Sequence, residues 1–298
     1  MATTTANPPR LGLSLMPQTG FWQAARPLLE SDAVDVLEWS FDIGWGKTAL
    51  PTWMPPLLNQ FSQQQRLLGH GVSYSLLSAQ LDRSHWLACL EAERQQYSYQ
   101  HISEHFGWLA TETFRQSVPL PMPLLPETLQ LGRNRLQRLA EVAQVPVGLE
   151  NLAFAFSQQD VREQGTFLEQ LLEPVDGFLL LDVHNLYCQI CNFQISAAEL
   201  LALYPLHRVR ELHISGGSWS EGSRGKIRRD THDQPVPEAV FELLTLVLPQ
   251  CPNVQFVIFE RLGNTLLRAS EQHQFRQDFA RLQTIVQTHT RGENHAGI

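Results

Sequence analysis

Short apolar runs alternate with segments of helical periodicity along almost the whole chain. The run over residues 177–185 shows this most clearly, because four large apolar residues lead directly into Asp182, His184 and Asn185. A short apolar run introduced by a glycine is typical of a strand that is buried on both faces. Comparable runs predict further strands at 11–15, 34–39, 67–73, 145–150, 209–214 and 254–260, and one that ends at residue 105.

The intervals between these strands carry helical patterns. Leu136 and Leu139 fall on one face of a helix predicted over 127–144. Ser196 followed by Glu199 forms a capping box, which predicts that a helix begins there. Helices are predicted at 21–30, 51–65, 86–97, 127–144, 158–172, 196–203, 235–248 and 268–287, and long loops at 106–126 and 215–234.

Eight strands that alternate with eight helices favour a single α/β domain, a (β/α)8 TIM barrel, over a doubly wound sheet. The length of 298 residues suits one barrel of this kind. We expect the barrel domain to span residues 10–290, with flexible tails at 1–9 and 291–298.

Composition and charge narrow the class of protein. Hydrophobic residues make up 43% of the chain and charged residues 17%, as in ordinary globular enzymes. The formal net charge of -8 argues against a nucleic-acid partner or an anionic membrane surface. No run approaches the roughly 18 apolar residues of a membrane span, and residues 1–10 lack the apolar core of a secretory signal. A cytoplasmic location is expected.

Cys188 and Cys191 form a CxxC motif in the segment that follows the strand at 177–185. Such a pair could be a redox dithiol or half of a zinc site. No second CxxC exists in the sequence to complete a four-cysteine site, so a structural role in a loop entering the next helix is favoured.

Imidazole and carboxylate side chains stand at the carboxyl ends of strands three to eight and in the loop after strand seven. In a TIM barrel these ends converge on one face, so the side chains are expected to meet there. A mixed N/O set without thiolates suits Fe, Mn or Zn. Eight candidates exceed the needs of one ion and indicate two or three metals. They are His70, His105, Glu150, Asp182, His213, Asp230, His232 and Glu260.

Other polar residues lie beside these candidates. His101, Asn151 and His184 are predicted to orient the ligands from a second layer. The basic loop that carries Arg224, Arg228 and Arg229 is either a solvated turn or a binding site for a substrate carboxylate, since arginine offers two parallel donors.

Seven short motifs with these residues occur in one order over residues 11–264. In that order the chain resembles the multinuclear nonheme iron-dependent oxidases, a family of xylose isomerase-like TIM barrels. The motifs are His70-Gly-Val-Ser, Ser103-Glu-His105-Phe-Gly-Trp108, Leu149-Glu150-Asn151, Leu181-Asp182-Val-His-Asn185, Glu211-Leu-His213, Asp230-Thr-His232 and Ile258-Phe-Glu260-Arg261.

The resemblance implies two or three iron ions, Fe2+ or Fe3+, with O2 as co-substrate. It implies modification of a ribosomally synthesised precursor peptide, often at Cys and sometimes at Asp or Asn, and often with a partner protein that recognises the peptide leader. It matches the eight candidates to metal ligands, with Glu150, Asp182 and His213 in the catalytic centre, and Asn185 to a position at or near the cluster that varies. The implied chemistry has substrate on one iron and O2 activated at another.

The chain departs from the family pattern at three positions near the predicted mouth. His184 stands where many members have Asn, Gly217 where many have His, and Leu262 where many have Asp. Two alternatives to an oxidase remain at this point. One is a divalent-metal isomerase or phosphodiesterase of the related barrels, and the other is a non-catalytic metal-dependent binding protein.

Overall fold

The computed structural model describes residues 8–45, 50–79, 82–110, 115–222 and 225–295. In these residues the strands are β1 (Arg10–Leu15), β2 (Val36–Trp39), β3 (Leu67–Gly71), β4 (Ile102–His105), β5 (Trp108–Ala110), β6 (Arg115–Leu120), β7 (Val147–Glu150), β8 (Phe178–Asp182), β9 (Val209–Ile214), β10 (Trp219–Gly222), β11 (Gly225–Arg228) and β12 (Phe256–Phe259). The helices are α1 (Thr19–Glu30), α2 (Met54–Gln63), α3 (Ser84–Gln96), α4 (Pro126–Ala143), α5 (Gln158–Leu172), α6 (Val183–Phe193), α7 (Ala197–Ala202), α8 (Glu238–Val247) and α9 (Ala269–His295).

Eight of the strands close into one parallel barrel, in the order β1-β2-β3-β4-β7-β8-β9-β12, with β12 pairing back onto β1. Helices follow each barrel strand and surround the barrel, so the predicted (β/α)8 TIM barrel is confirmed. None of the helices in the described ranges is long and apolar enough to cross a membrane.

The barrel interior changes from apolar to polar along the strands. Val36, Leu68, Phe256 and Ile258 form a small buried cluster separate from the main core, on the inward face of their strands. Side chains of a strand alternate between faces, so the inward positions continue two residues further on. Those next positions are occupied by polar side chains, namely Glu38 after Val36, His70 after Leu68 and Glu260 after Ile258. An apolar layer therefore lies beneath the polar end of the barrel.

The helix α6 is absent from the sequence-based prediction. The chain passes from β8 into α6 at Asp182, which ends the strand and also caps the helix, because its side chain accepts a hydrogen bond from the Asn185 N–H. No turn residue separates the two elements. The prediction of a loop at Cys188 and Cys191 is therefore wrong, since both lie within α6.

The two predicted long loops contain regular structure. β5 pairs with β6, and β10 pairs with β11, as two antiparallel hairpins above the barrel. These strands are short, and β10 and β11 leave most of their residues partly exposed, so they carry no apolar periodicity. The last helix also continues to His295, beyond the predicted end at residue 287.

Candidate metal centre

All eight predicted ligands lie at the carboxyl end of the barrel, and they fall into four overlapping groups. Within each group, ligand atoms from three side chains lie within 4.8 Å of one another. Glu150, Asp182 and His213 each belong to two groups, so the groups form one continuous cluster. The groups are His70, His105 and Glu150; Glu150, Asp182 and His213; Asp182, Asp230 and His232; and Glu38, His213 and Glu260.

Glu150 brings the first group together. Its Oε2 lies 3.4 Å from Nε2 of His70 and 3.3 Å from Nε2 of His105. The other ring nitrogen of His70, Nδ1, lies 2.8 Å from the Ser103 hydroxyl oxygen. Burial lowers the pKa of His70 well below its usual value, which keeps the imidazole neutral, as a metal ligand requires. The free Nε2 edges of both rings therefore face one carboxylate oxygen.

Asp182 presents one oxygen to its helix and the other to the cluster. Oδ1 accepts the N-terminal hydrogen bond from Asn185 N at 2.6 Å, while Oδ2 is buried without a hydrogen-bond partner among the described residues. Asn151 fixes this strand end, because its amide pairs with both the N–H and the C=O of Asp182. Asn185 in turn donates to Oε1 of Glu150 at 3.2 Å. Asn151 and Asn185, both predicted beside the ligands, contact them directly.

Asp230 and His232 enter the cluster from the segment after the β10–β11 hairpin. Oδ1 of Asp230 lies 2.8 Å from His232 Nε2 and 3.1 Å from His184 Nδ1. His184 thus contacts a predicted ligand from the first turn of α6. A Cβ at Gly217 would come within 2.7 Å of the His184 ring, so the glycine leaves room for this histidine.

The donor set fits metal ions. Several of its atoms are buried and have no hydrogen-bond partner in the described parts of the chain, which is rare for polar atoms in proteins. A cation would satisfy these atoms together, and imidazole with carboxylate oxygen suits Fe, Mn or Zn. The clearest of these atoms are Oε2 of Glu150 and Oδ2 of Asp182.

Electrostatics in the cluster support the same conclusion. Burial, with further contributions from neighbouring carboxylates, raises the pKa of Glu150 and of Asp182 to about 8. Burial by itself lowers the pKa of His213, but the carboxylates of Glu260 and Glu38 outweigh it and raise that pKa well above its usual value. Without metal, the cluster therefore holds protons at neutral pH. A bound cation would replace them, because it supplies the positive charge that the carboxylates lack.

Sequence reasoning missed Glu38. Its side chain is fully buried, and Oε2 lies 3.0 Å from His213 Nε2. Part of the signal was available, since the alternation over 34–39 places Glu38 on the same face as Val36, at the end of one of the two early strands left without a candidate. His101, predicted to orient a ligand, contacts Glu211 at 2.8 Å, and Glu211 in turn lies 3.6 Å from His213 Nε2.

The three arginines of the basic loop, considered as either a solvated turn or a carboxylate-binding site, lie in different surroundings. Arg228 is buried, its guanidinium donates to His184 Nε2, and it stacks on the rings of Tyr187 and Trp219. Arg229 is exposed. Arg224 lies outside the described residues.

Comparisons with known proteins identify the family to which the chain belongs. A model of the family described as "RiPP precursor modification enzyme MbnB/TglH/ChrH" matches residues 45–284. The chain belongs to this family. This confirms the resemblance to the multinuclear iron oxidases. A UPF0276 protein of Caulobacter vibrioides is 28% identical over 235 residues, which cover 78% of this chain and 80% of that protein. A UPF0276 protein of Pseudomonas aeruginosa is 31% identical over 186 residues, covering 62% of this chain and 64% of the relative.

Solved structures confirm the barrel type within which the family falls. An L-ribulose 3-epimerase matches with a TM-score of 0.57 at 14% identity and covers 97% of this chain and 98% of its own. The IOLI protein with a bound zinc atom matches with a TM-score of 0.61 at 11% identity, covering 94% of this chain and 98% of its own. At these identities the likeness shows the fold alone.

The position of His184 leads to a first prediction. Replacing His184 by alanine removes the ring that lies 3.1 Å from Asp230, so the metal site nearest Asp182, Asp230 and His232 should lose about 10–100-fold in affinity. Calorimetric titration of the metal-free protein with Mn2+ would measure this. His207→Ala, at an exposed histidine far from the cluster, should bind as the wild type does. If His184→Ala binds Mn2+ with unchanged affinity at every site, His184 does not support the metal site.

Proposed function

We propose that the protein is an iron- and O2-dependent oxidoreductase that modifies a residue of a ribosomally synthesised precursor peptide. The observation that supports this most strongly is the continuous cluster of four ligand groups, in a chain of the RiPP precursor modification family. A ribosomal peptide is made in the cytoplasm, which is where we expect the enzyme to act, and we expect a leader-recognising partner protein to take part.

In this proposal, His70, His105, Glu150, Asp182, His213, Asp230, His232 and Glu260 hold two or three iron ions. Bound iron would supply the reaction with O2 that oxidises the peptide. The chain supplies ligand orientation: Ser103 fixes the His70 ring, Asn151 fixes the end of β8, and Asn185 holds one oxygen of Glu150. Glu150, Asp182 and His213 are the proposed catalytic group because each is shared between neighbouring groups.

A small cavity with apolar residues in its lining opens onto the cluster. His105, Asn185 and Asp230 line this cavity together with Val118 and Phe154. Apolar walls limit the entry of water, which strengthens electrostatic interactions within the site. Phe156 and Trp219, on segments that follow β7 and β9, are large apolar residues exposed on the same face of the barrel. In this proposal, these side chains contact the peptide on its way to the cluster.

The test combines metal analysis with O2 dependence. Anaerobically purified protein is expected to contain two or three iron ions and to give the Mössbauer spectrum of a multinuclear site. When it is co-expressed with small peptides encoded beside its gene, one peptide should change mass in air and keep its mass without O2. A modification that proceeds equally without O2 would favour an isomerase or phosphodiesterase. A metal-loaded protein that binds a peptide and never changes its mass would favour a binding protein.

A further inference from the structure

Two buried carboxylates face the same edge of the His213 ring. Oε2 of Glu38 lies 3.0 Å from His213 Nε2, and Oε1 of Glu211 lies 3.6 Å from the same nitrogen. The opposite nitrogen, Nδ1, lies 3.1 Å from Oε2 of Glu260. One edge of the ring therefore points into the barrel, and the other points toward the candidate metal ligands.

Glu211 is itself held in place from below. Its Oε2 lies 2.8 Å from Nε2 of His101, and both side chains are fully buried. The His101 ring packs against Phe178, with centroids 4.5 Å apart, and against Phe256, at 5.1 Å. These contacts fix the pair in the barrel interior, so Glu211 is a rigid neighbour of His213.

Burying Glu38 and Glu211 is costly unless a positive charge compensates them. The predicted ligand set contains four carboxylates, and these two bring the total in and beneath the cluster to six, of which all but Asp230 are buried. Six negative charges would neutralise the total charge of three divalent ions or of two trivalent ions. Four negative charges would neutralise only two divalent ions. The additional carboxylates therefore suit a cluster that carries a high positive charge.

We propose that Glu38, supported by the His101–Glu211 pair, is a positioning residue for His213. It accepts the hydrogen of Nε2, which leaves the Nδ1 lone pair of His213 free to bind a metal ion. Its negative charge favours the more oxidised state of that ion. The inference rests on the proposed function, because it needs a metal at His213.

A competing role for Glu38 is that of a direct ligand together with His213 and Glu260. The geometry favours positioning. A separation of 3.0 Å between a ring nitrogen and a carboxylate oxygen is a hydrogen-bond distance, and a nitrogen that donates its hydrogen cannot coordinate at the same time. A hydrogen bond from a metal-bound histidine to a carboxylate is also the usual way in which proteins orient such a ligand.

The test separates charge from hydrogen bonding. Glu38→Gln keeps an acceptor oxygen and removes the charge, whereas Glu38→Ala removes both. Glu93→Gln is the matched control, because Glu93 is a partly buried carboxylate that accepts hydrogen bonds from Tyr99 and Trp45, away from the cluster. Each protein is loaded anaerobically with Fe2+. Iron is counted, and the Fe3+ to Fe2+ ratio is read from Mössbauer spectra at potentials fixed with redox mediators.

With Glu38→Gln we expect an unchanged iron count and a Fe3+ to Fe2+ ratio about tenfold lower at a fixed potential, a shift of about 59 mV for one electron. With Glu38→Ala we expect Co2+, used as a probe, to bind about 10–100-fold more weakly at one site. Glu93→Gln should match the wild type in both measurements. Should Glu38→Ala fail to fold, Glu38→Gln carries the test.

An unchanged ratio in Glu38→Gln would overturn the proposal. The loss of one iron per protein in that variant would also overturn it and would make Glu38 a ligand. A wild-type protein that binds no iron removes the proposed function and this inference together. This failure of the proposed function can be told apart from a failure of the inference about Glu38, because it is seen in the wild-type protein before any variant is compared.

Discussion

Replacing Glu150 by glutamine is expected to empty more than one metal site at once. A single oxygen, Oε2, lies within 3.4 Å of both His70 and His105, and Glu150 also belongs to the group with Asp182 and His213. A glutamine amide lacks the negative charge with which Glu150 would hold metal in both groups. Bound iron should therefore fall to less than half of the wild-type content, and O2-dependent peptide modification should fall by about 100-fold or more.

The measurement is iron content together with the mass of the peptide product. Asp278→Asn is the matched control, because Asp278 is a similarly buried carboxylate that accepts its hydrogen bonds from Val236 and Gln274. The control should retain full iron content. A fully iron-loaded Glu150→Gln protein would contradict the assignment of Glu150 as a ligand shared by its two groups.

The barrel and most of the cluster could be predicted because the two follow from one pattern. In a parallel barrel each strand is apolar on both faces and ends at the same rim, so a polar residue directly after an apolar run is visible in sequence. His70, Glu150 and His213 all follow this rule, and the structure brings them together. The same sequence pattern therefore predicts both the barrel and the meeting of the candidate ligands at one end of it.

Other features could not be read from the pattern, each for a local reason. Asp182 has two functions at one position, since one oxygen caps α6 and the other faces the cluster, so no turn residue marks the helix. Glu38 precedes Trp39 in an alternating strand, which resembles a half-exposed strand with a solvated glutamate. Its full burial depends on His213, 175 positions away. The alternation places Glu38 on the same face as Val36, but nothing nearby in the sequence identifies His213 as its partner.

Metal removal is expected to lower the thermal stability of the protein, and this loss should become larger as pH rises. Metal that binds only the folded state stabilises it by about 4 kcal/mol at a concentration 1,000 times its Kd. At roughly 2–4 °C per kcal/mol for a domain of this size class, chelation should lower Tm by about 10 °C. Thermal unfolding followed by circular dichroism, before and after anaerobic treatment with a chelator, would measure the change.

The pH dependence follows from groups that hold protons in the folded, metal-free protein. The pKa of Glu150 and of Asp182 is raised by burial to about 8, and that of Glu38 to about 7, all above the ordinary carboxyl values that apply after unfolding. His213 and His232 also have raised pKa values, because nearby carboxylates outweigh the effect of burial. Between pH 6.5 and 8 the folded state therefore binds more protons than the unfolded state. Its stability must fall as pH rises through that window.

Histidines with lowered pKa values, such as His70, oppose this trend only near the lower end of the window, because unfolded histidine loses most of its remaining protons within about one pH unit above 6.5. From pH 6.5 to 8 the metal-free protein should lose on the order of 2 kcal/mol. Metal binding displaces the same protons, so the difference in Tm between loaded and metal-free protein should widen over this range. Glu150→Gln should reduce the pH dependence of the metal-free form, since one of the responsible carboxyls is gone. A metal-free protein that becomes more stable from pH 6.5 to 8 would show that these side chains do not share one buried, proton-holding cluster.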